Sequence, residues 1–119
     1  MIDDDAAIVN LLKENLEIEG YRVLQGYDGQ AALEMARKNR PDLIIMDLNM
    51  PGVNGFQALE ALRKQQETQK IPILFLTGEA SESPAAALIG VERVSHLKKP
   101  IELDTLNSVI RAFLSRYPA

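Results

Sequence analysis

Residues 42 to 56 read DLIIMDLNMPGVNGF, and the fold turns on this stretch. An uninterrupted apolar run, Leu43 to Met46, ends in a carboxylate, Asp47, and is followed by a turn rich in Pro, Gly and Asn. A short apolar run bounded by turn signals is the pattern of a strand buried on both faces, as in a parallel sheet covered by helices. Asp47 then stands where a central strand surfaces, and a charge at such a place needs a chemical reason.

Working outward, the hydrophobic spacing alternates between the helical and the extended period. Upstream, GQAALEMARKNR (29–40) reads as a helix with Asp28 as its N-cap and Pro41 closing it. Before it, YRVLQGY (21–27), with Val23 following the charged Arg22, reads as a short second strand. The first helix is AAIVNLLKENLEI (6–18), with Ile8, Leu11, Leu12 and Leu16 on one stripe and Gly20 as its C-cap glycine. Downstream, GFQALEALRKQQ (55–66) carries Phe56, Leu59 and Leu62 at helical spacing, and IPILFLT (71–77) is a second continuous apolar run. Ser83 and Pro84 suit the cap and first position of a short fourth helix, and RVSHL (93–97) makes a weak fifth strand. The segment ELDTLNSVIRAFLSRY (102–117) places Leu103, Leu106, Ile110, Phe113 and Leu114 on one face of a terminal helix. Strands alternating with helices imply right-handed crossovers, hence a doubly wound α/β sandwich.

The bulk numbers narrow the function classes. At 119 residues and 46% hydrophobic content, the chain reads as one domain over 1–119 with room for a sizeable core. The net charge is −4, from 17 acidic and 13 basic residues, with no Lys/Arg cluster, so direct nucleic-acid binding is not expected. Neither a run of about 18 apolar residues nor a signal peptide is present, so no membrane is expected and the reading is cytoplasmic. With no Cys, a disulfide framework and a thiolate metal site are excluded.

In a sheet of this class the parallel strands aim their C-terminal ends at one edge, where ligands bind. The strand ends carry Asp3, Asp4 and Asp5; Asp47; Thr77; and Lys98, Lys99 and Pro100. Convergent carboxylates suit a hard divalent cation, Mg²⁺ in particular, with a hydroxyl and an ammonium to hold further anionic oxygens. Each residue has a plainer reading: Asp5 as an N-cap, Thr77 as a turn residue, Lys98 as a solvated charge. Their joint occurrence at four strand ends favours the site.

The motifs IDDD (2–5), DLIIMDLNMPGVNGF (42–56), FLTGEA (75–80) and KKP (98–100), in this order and spacing, resemble the receiver domains of two-component response regulators along nearly the whole chain. The resemblance implies a flavodoxin-like, five-stranded parallel sheet of strand order 2-1-3-4-5 with helices on both faces. It implies a signalling module, a phosphoprotein that is no enzyme beyond its own phosphorylation and dephosphorylation. Its partners would be a sensor histidine kinase or phosphotransfer protein, and an output domain or downstream protein reached through the fourth helix, fifth strand and fifth helix. Asp47 would be the phosphoacceptor. Asp4, Asp47 and the main-chain carbonyl of Asn49 would ligate Mg²⁺, with Asp3 acting through a water. Thr77 would bond the phosphoryl group and Lys99 pair with it; Thr77 and His96 would be the switch residues. Asn49 and Glu79 flank the path of an attacking water and would tune hydrolysis.

The sequence departs from that family in three places. His96 stands where Tyr or Phe is usual, Glu92 and Arg93 stand where a Gly-Ala pair is usual, and only Met1 and Ile2 precede Asp3. The first strand is therefore expected to be truncated, its gap filled by apolar residues before Met1 or by a neighbouring chain through strand addition or exchange. The competing readings are a Mg²⁺-dependent aspartyl-phosphate hydrolase on a similar fold and a degenerate receiver acting only as a docking surface. The first is disfavoured by Asn49 where such hydrolases carry a second Asp, the second by a filled set of site positions.

Overall fold

The computed structural model describes residues 2, 6–26, 29–47, 55–77, 93–98 and 101–117. Within them lie α1 (Ala6–Ile18), α2 (Gly29–Asn39), β1 (Ile44–Asp47), α3 (Gly55–Lys64), β2 (Ile73–Thr77), β3 (Val94–Lys98) and α4 (Leu103–Arg116). The strands form one parallel sheet in the order β1-β2-β3, with Ile44 opposite Ile73 and Ile73 opposite Val94. They are the third, fourth and fifth strands expected from the sequence, and α4 is the expected terminal helix. The expected fourth helix with Ser83 and Pro84, and the Asp28 cap, lie outside the described residues.

Side chains alternate across the sheet with period two, and both faces are covered. Ile44, Met46, Ile73 and Phe75 pack against Ala32 and Ala36 of α2 and Ala58 and Leu62 of α3. Ile45, Leu74 and Leu76 pack against Leu12 and Leu16 of α1 and Leu106 and Ile110 of α4. Ile73 through Leu76 are all 0% exposed, which is why β2 reads as an unbroken apolar run and shows no alternation in the sequence.

Helix ends follow local chemistry. At the end of α1 the Tyr21 N–H donates to the Leu16 carbonyl (3.0 Å) and the Gly20 N–H to the Glu17 carbonyl (3.0 Å), with Gly20 at φ 96°, a Schellman closure. After α2 the closure is the simpler αL cap: Arg40 at φ 46° donates its N–H to the Ala36 carbonyl (3.0 Å), and Pro41 follows with no N–H to give. The buried stripe of α1 differs from the expected one. Val9, Leu12 and Leu16 are buried, whereas Leu11 is 56% exposed, because Val9 rather than Leu11 shares the turn-spaced line with Leu12 and Leu16. The Ile8 side chain lies outside the described set. On α4, Leu103 is exposed and Asn107 buried instead: Asn15 on α1 donates to Asn107 Oδ1 (2.8 Å) and Asn107 Nδ2 donates back to Asn15 Oδ1 (3.4 Å).

The expected second strand is reduced to a single bridge. Residues 21–25 join no ladder, and Gly26 pairs in parallel with Ile2, which on its other side pairs with Met46. A strand extends only as far as a partner strand runs beside it, and among the described residues the one bridge of this segment is that of Gly26 with Ile2. Ile2 is itself 3% exposed and donates its N–H to the Ile45 carbonyl (2.7 Å). Gly26 makes this approach possible. A Cβ there would lie 2.8 Å from Ile2 Cδ1 and 3.0 Å from Ala31 Cβ.

At the opposite edge Arg63, in the last turn of α3, donates Nη1 to the Ile71 carbonyl (2.8 Å) and Nη2 to the Arg93 carbonyl (3.4 Å). Arg93 takes φ 60° just before β3, and its guanidinium lies 4.6 Å above the Tyr117 ring. The left-handed turn that Gly would make freely is thus made by an Arg with a ring contact to offset part of the strain.

Candidate functional site

The three strands end together: β1 at Asp47, β2 at Thr77 and β3 at Lys98. Asp47 is opposite Leu76, and Thr77 opposite Lys98, so β1 ends one residue short of β2 while β2 and β3 end level. Adjacent parallel strands are about 4.8 Å apart, which brings the backbones carrying a carboxylate, a hydroxyl and an ammonium residue to one edge.

Asp47 is the residue the structure defines best. It is 6% exposed, alternates with Met46 and so lies on the Ile45 side of the sheet, and its N–H donates to the Ile2 carbonyl (2.8 Å). Withdrawing a carboxylate from water costs several kcal/mol unless charges or donors compensate it, so packing alone does not account for an Asp here. Ile2 therefore holds the Asp47 main chain from the neighbouring segment, a positioning role that sequence reasoning missed. The available signal was Gly26, since a glycine inside a strand-like run marks a close backbone approach.

The other expected residues divide clearly. Thr77 and Lys98 are placed by backbone alone, at the ends of β2 and β3. His96 is exposed on β3, opposite Phe75 and on the same side as Val94, which packs towards α2 and α3. Asp3, Asp4, Asp5, Asn49, Glu79, Lys99 and Pro100 lie outside the described residues. Among the described residues no group of three or more His, Cys, Asp or Glu gathers to hold a metal ion. Of the expected Mg²⁺ donors, Asp47 is the one described, and a nearly buried carboxylate at the strand mouth is a hard oxygen donor of the type that ion prefers.

A parallel sheet with helices on both faces and a recessed Asp at its C-terminal edge is a flavodoxin-like arrangement, and the comparisons supply the family. The chain belongs to the response regulator receiver domain family, whose model matches residues 1–111. Protein PilH of Pseudomonas aeruginosa is 34% identical over 115 residues, covering 97% of this chain and 95% of its own. The DNA-binding dual master transcriptional regulator RpaA of Synechocystis sp. is 37% identical over 118 residues, 98% of this chain but 48% of RpaA. The chain thus spans about half the length of relatives such as RpaA and nearly all of PilH. Among solved structures, the Vibrio cholerae chemotaxis protein CheY4 superposes with a TM-score of 0.86 at 35% identity, covering 95% of this chain and 94% of its own. The domain is therefore a signalling domain of two-component response regulators, not a classical enzyme. No described helix is long and apolar enough to cross a membrane.

Proposed function

We propose that this domain receives a phosphoryl group on Asp47 from a phosphohistidine of a sensor kinase or phosphotransfer protein. The observation that carries this reading is the 6% exposure of a carboxylate at the C-terminal end of β1, its main chain clamped by Ile2. In the transfer an Asp47 carboxylate oxygen forms a bond to phosphorus in line with the P–N bond that breaks, and the imidazole leaves with its electron pair. Such transfer needs position and charge stabilisation more than covalent effort. A strand end fixed from both sides supplies position.

Receiver domains generally use Mg²⁺. When bound, the ion supplies positive charge that lets several carboxylates and a phosphoryl group share one mouth. Asp4, Asp47 and the Asn49 carbonyl would hold it, with Asp3 through a water. Asp3 and Asp4 directly follow Ile2 in the chain, whose carbonyl is bonded to Asp47, and this supports their assignment. Thr77 would donate to the phosphoryl oxygens and Lys99 would pair with them, while Asn49 and Glu79 would orient the water that ends the cycle. The full sheet would take the order 2-1-3-4-5, with Ile2 bridging Gly26 and Met46 as its innermost first-strand residue. The changed partner surface would be the face of the fourth helix, the fifth strand (β3) and the terminal helix, with Thr77 and His96 as switch residues, and the partner an output domain or a separate protein. The setting is cytoplasmic in this reading.

Incubation with acetyl phosphate and Mg²⁺, followed by intact-mass measurement, tests the assignment. One added phosphoryl group is expected, lost in Asp47→Asn and absent with chelator; full labelling of Asp47→Asn would sink it. In the same samples, replacing Asn49 and Glu79 with larger apolar residues should slow decay of the label without preventing its formation.

A further inference from the structure

Between β3 and the last turns of α4 runs a groove of about 260 Å³. Val94 and Ser95 of β3 form one wall, Val109, Ala112 and Phe113 of α4 the other, and Arg116 and Tyr117 close one end. The walls are mostly apolar, but the closed end is cationic. There the Tyr117 ring packs on Phe113, with ring centres 5.4 Å apart, and two guanidinium groups lie over it, Arg93 at 4.6 Å and Arg116 at 5.5 Å. Arg93 stands at one of the positions where the family usually carries a Gly-Ala pair, so this end belongs to this chain's own sequence.

We propose that this groove is a docking site for a short segment of a partner protein that carries an Asp or Glu beside aliphatic side chains. Arg116 holds the carboxylate, and the aliphatic groups lie against Val94, Val109 and Phe113. The inference rests on the partner face proposed above and deepens it, giving the chemistry of what that face takes. Arg116 is exposed, and its contact among the described residues is the Tyr117 ring. A guanidinium held against a ring still directs its N–H donors outward in its own plane, where they fit a carboxylate in a two-pronged bond. The ring contact also narrows the side chain's freedom beforehand, so less is lost when the bond forms.

Charge selects the occupant. The chain as a whole carries −4, yet no carboxylate lines the groove. Glu19 is engaged by Arg111 at 3.7 Å, and Asp104 lies in the first turn of α4, roughly 18 Å along the helix from Arg116. A partner carboxylate thus meets no competitor for Arg116 among the described residues. A second copy set groove to groove would bring two Arg116 side chains together with no carboxylate in the lining to separate them. A phosphate backbone calls for a row of cations, and the groove offers guanidinium groups at one end and apolar walls along the rest.

The test is a selection from a random peptide library displayed on phage, run on the immobilised chain. Enriched peptides should carry Asp or Glu next to Leu, Ile or Val, and synthetic copies should shift the amide resonances of Ser95, Ala112 and Tyr117. Arg116→Gln should weaken them by roughly three- to tenfold, and a fresh selection on Arg116→Glu should return Lys or Arg in place of the acid. Arg116 is exposed, so both variants are expected to fold. Should either fail, Ala112→Phe, which fills the groove from another exposed position, decides by abolishing the shifts. Peptides without an acid, affinity unchanged in Arg116→Gln, or shifts confined to residues outside the groove would overturn the proposal. So would an oligonucleotide that displaces the peptides and shifts the same amides, or a dimer, seen by light scattering, that Arg116→Glu dissolves. Comparison of the chain treated with acetyl phosphate and Mg²⁺ with Asp47→Asn separates this proposal from the one it rests on. Equal affinity for the two upholds the groove and refutes only its control by phosphorylation.

Discussion

Gly26 and Asp47 mark the two sides on which one residue, Ile2, is held. Gly26 allows the approach, since any side chain there meets Ile2 Cδ1, Ala31 Cβ and, at 3.2 Å, Met35 Sδ. The Ile2 and Met35 atoms are flexible ends, but Ala31 Cβ belongs to the rigid backbone of α2, so relief is partial. Gly26→Ala is expected to destabilise by about 1–3 kcal/mol, the usual cost of overpacking a filled core. Urea titration would show it as a lower midpoint at unchanged slope. An unchanged midpoint would mean that the segment from 21 to 26 moves aside freely. The strain at Arg93 is of another kind: φ 60° in a non-glycine residue costs about 1–3 kcal/mol, offset in part by its contact with Tyr117.

Among the described residues the helices are held mainly by apolar packing, and on one face of the sheet α1 and α4 are also joined by polar contacts, an exposed Arg111–Glu19 ion pair at 3.7 Å and a pair of asparagines. The Asn15–Asn107 pair links α1 to α4 through two side-chain amide bonds, one at 2.8 Å and one at 3.4 Å. Asn107→Ala removes both and leaves the half-buried Asn15 amide without these bonds, so a loss of about 1–2 kcal/mol is expected. The double variant Asn15→Leu with Asn107→Leu removes the demand along with the bonds and should recover much of that loss, as a thermodynamic cycle in denaturant would reveal. If the double variant is as unstable as the sum of the singles, the pair is not coupled. The exposed Lys64–Glu60 bridge at 3.1 Å, by contrast, is a solvent-facing i,i+4 contact expected to contribute little.

Across the whole molecule, stability should grade from the centre of the sheet outward. β2 is paired on both edges and buried on both faces, whereas residues 21–25 carry no ladder. Native-state hydrogen exchange should therefore find the amides of Ile73 to Leu76 exchanging only through global unfolding, and those of Arg22 and Val23 through local opening at much lower free energy. Similar protection in both segments would mean that the edge is covered in solution. The same gradient has a functional side: Asp47 ends β1, which lies between the rigid β2 and the single residue Ile2.

The sequence by itself determined the order of the seven described elements, since each period of hydrophobicity is a local consequence of which face must be buried. β1, β2, β3 and the four helices fall where spacing and caps place them, within a residue or two at their ends. It also singled out Asp47, because a carboxylate closing an apolar run is anomalous without any knowledge of its neighbours. Only the tertiary structure decided which residues within a periodic run turn inward. Val9 rather than Leu11 is buried on α1, and Asn107 is buried where Leu103 is exposed, because a helix offers several apolar lines and the facing layer selects among them. It also decided that, among the described residues, the segment from 21 to 26 is bridged only at Gly26, since pairing depends on a partner far away in the chain. The clamp of Ile2 on Asp47 is of the same kind: a bond between backbone groups distant in sequence carries no side-chain signature, and it exists only once the two segments lie side by side.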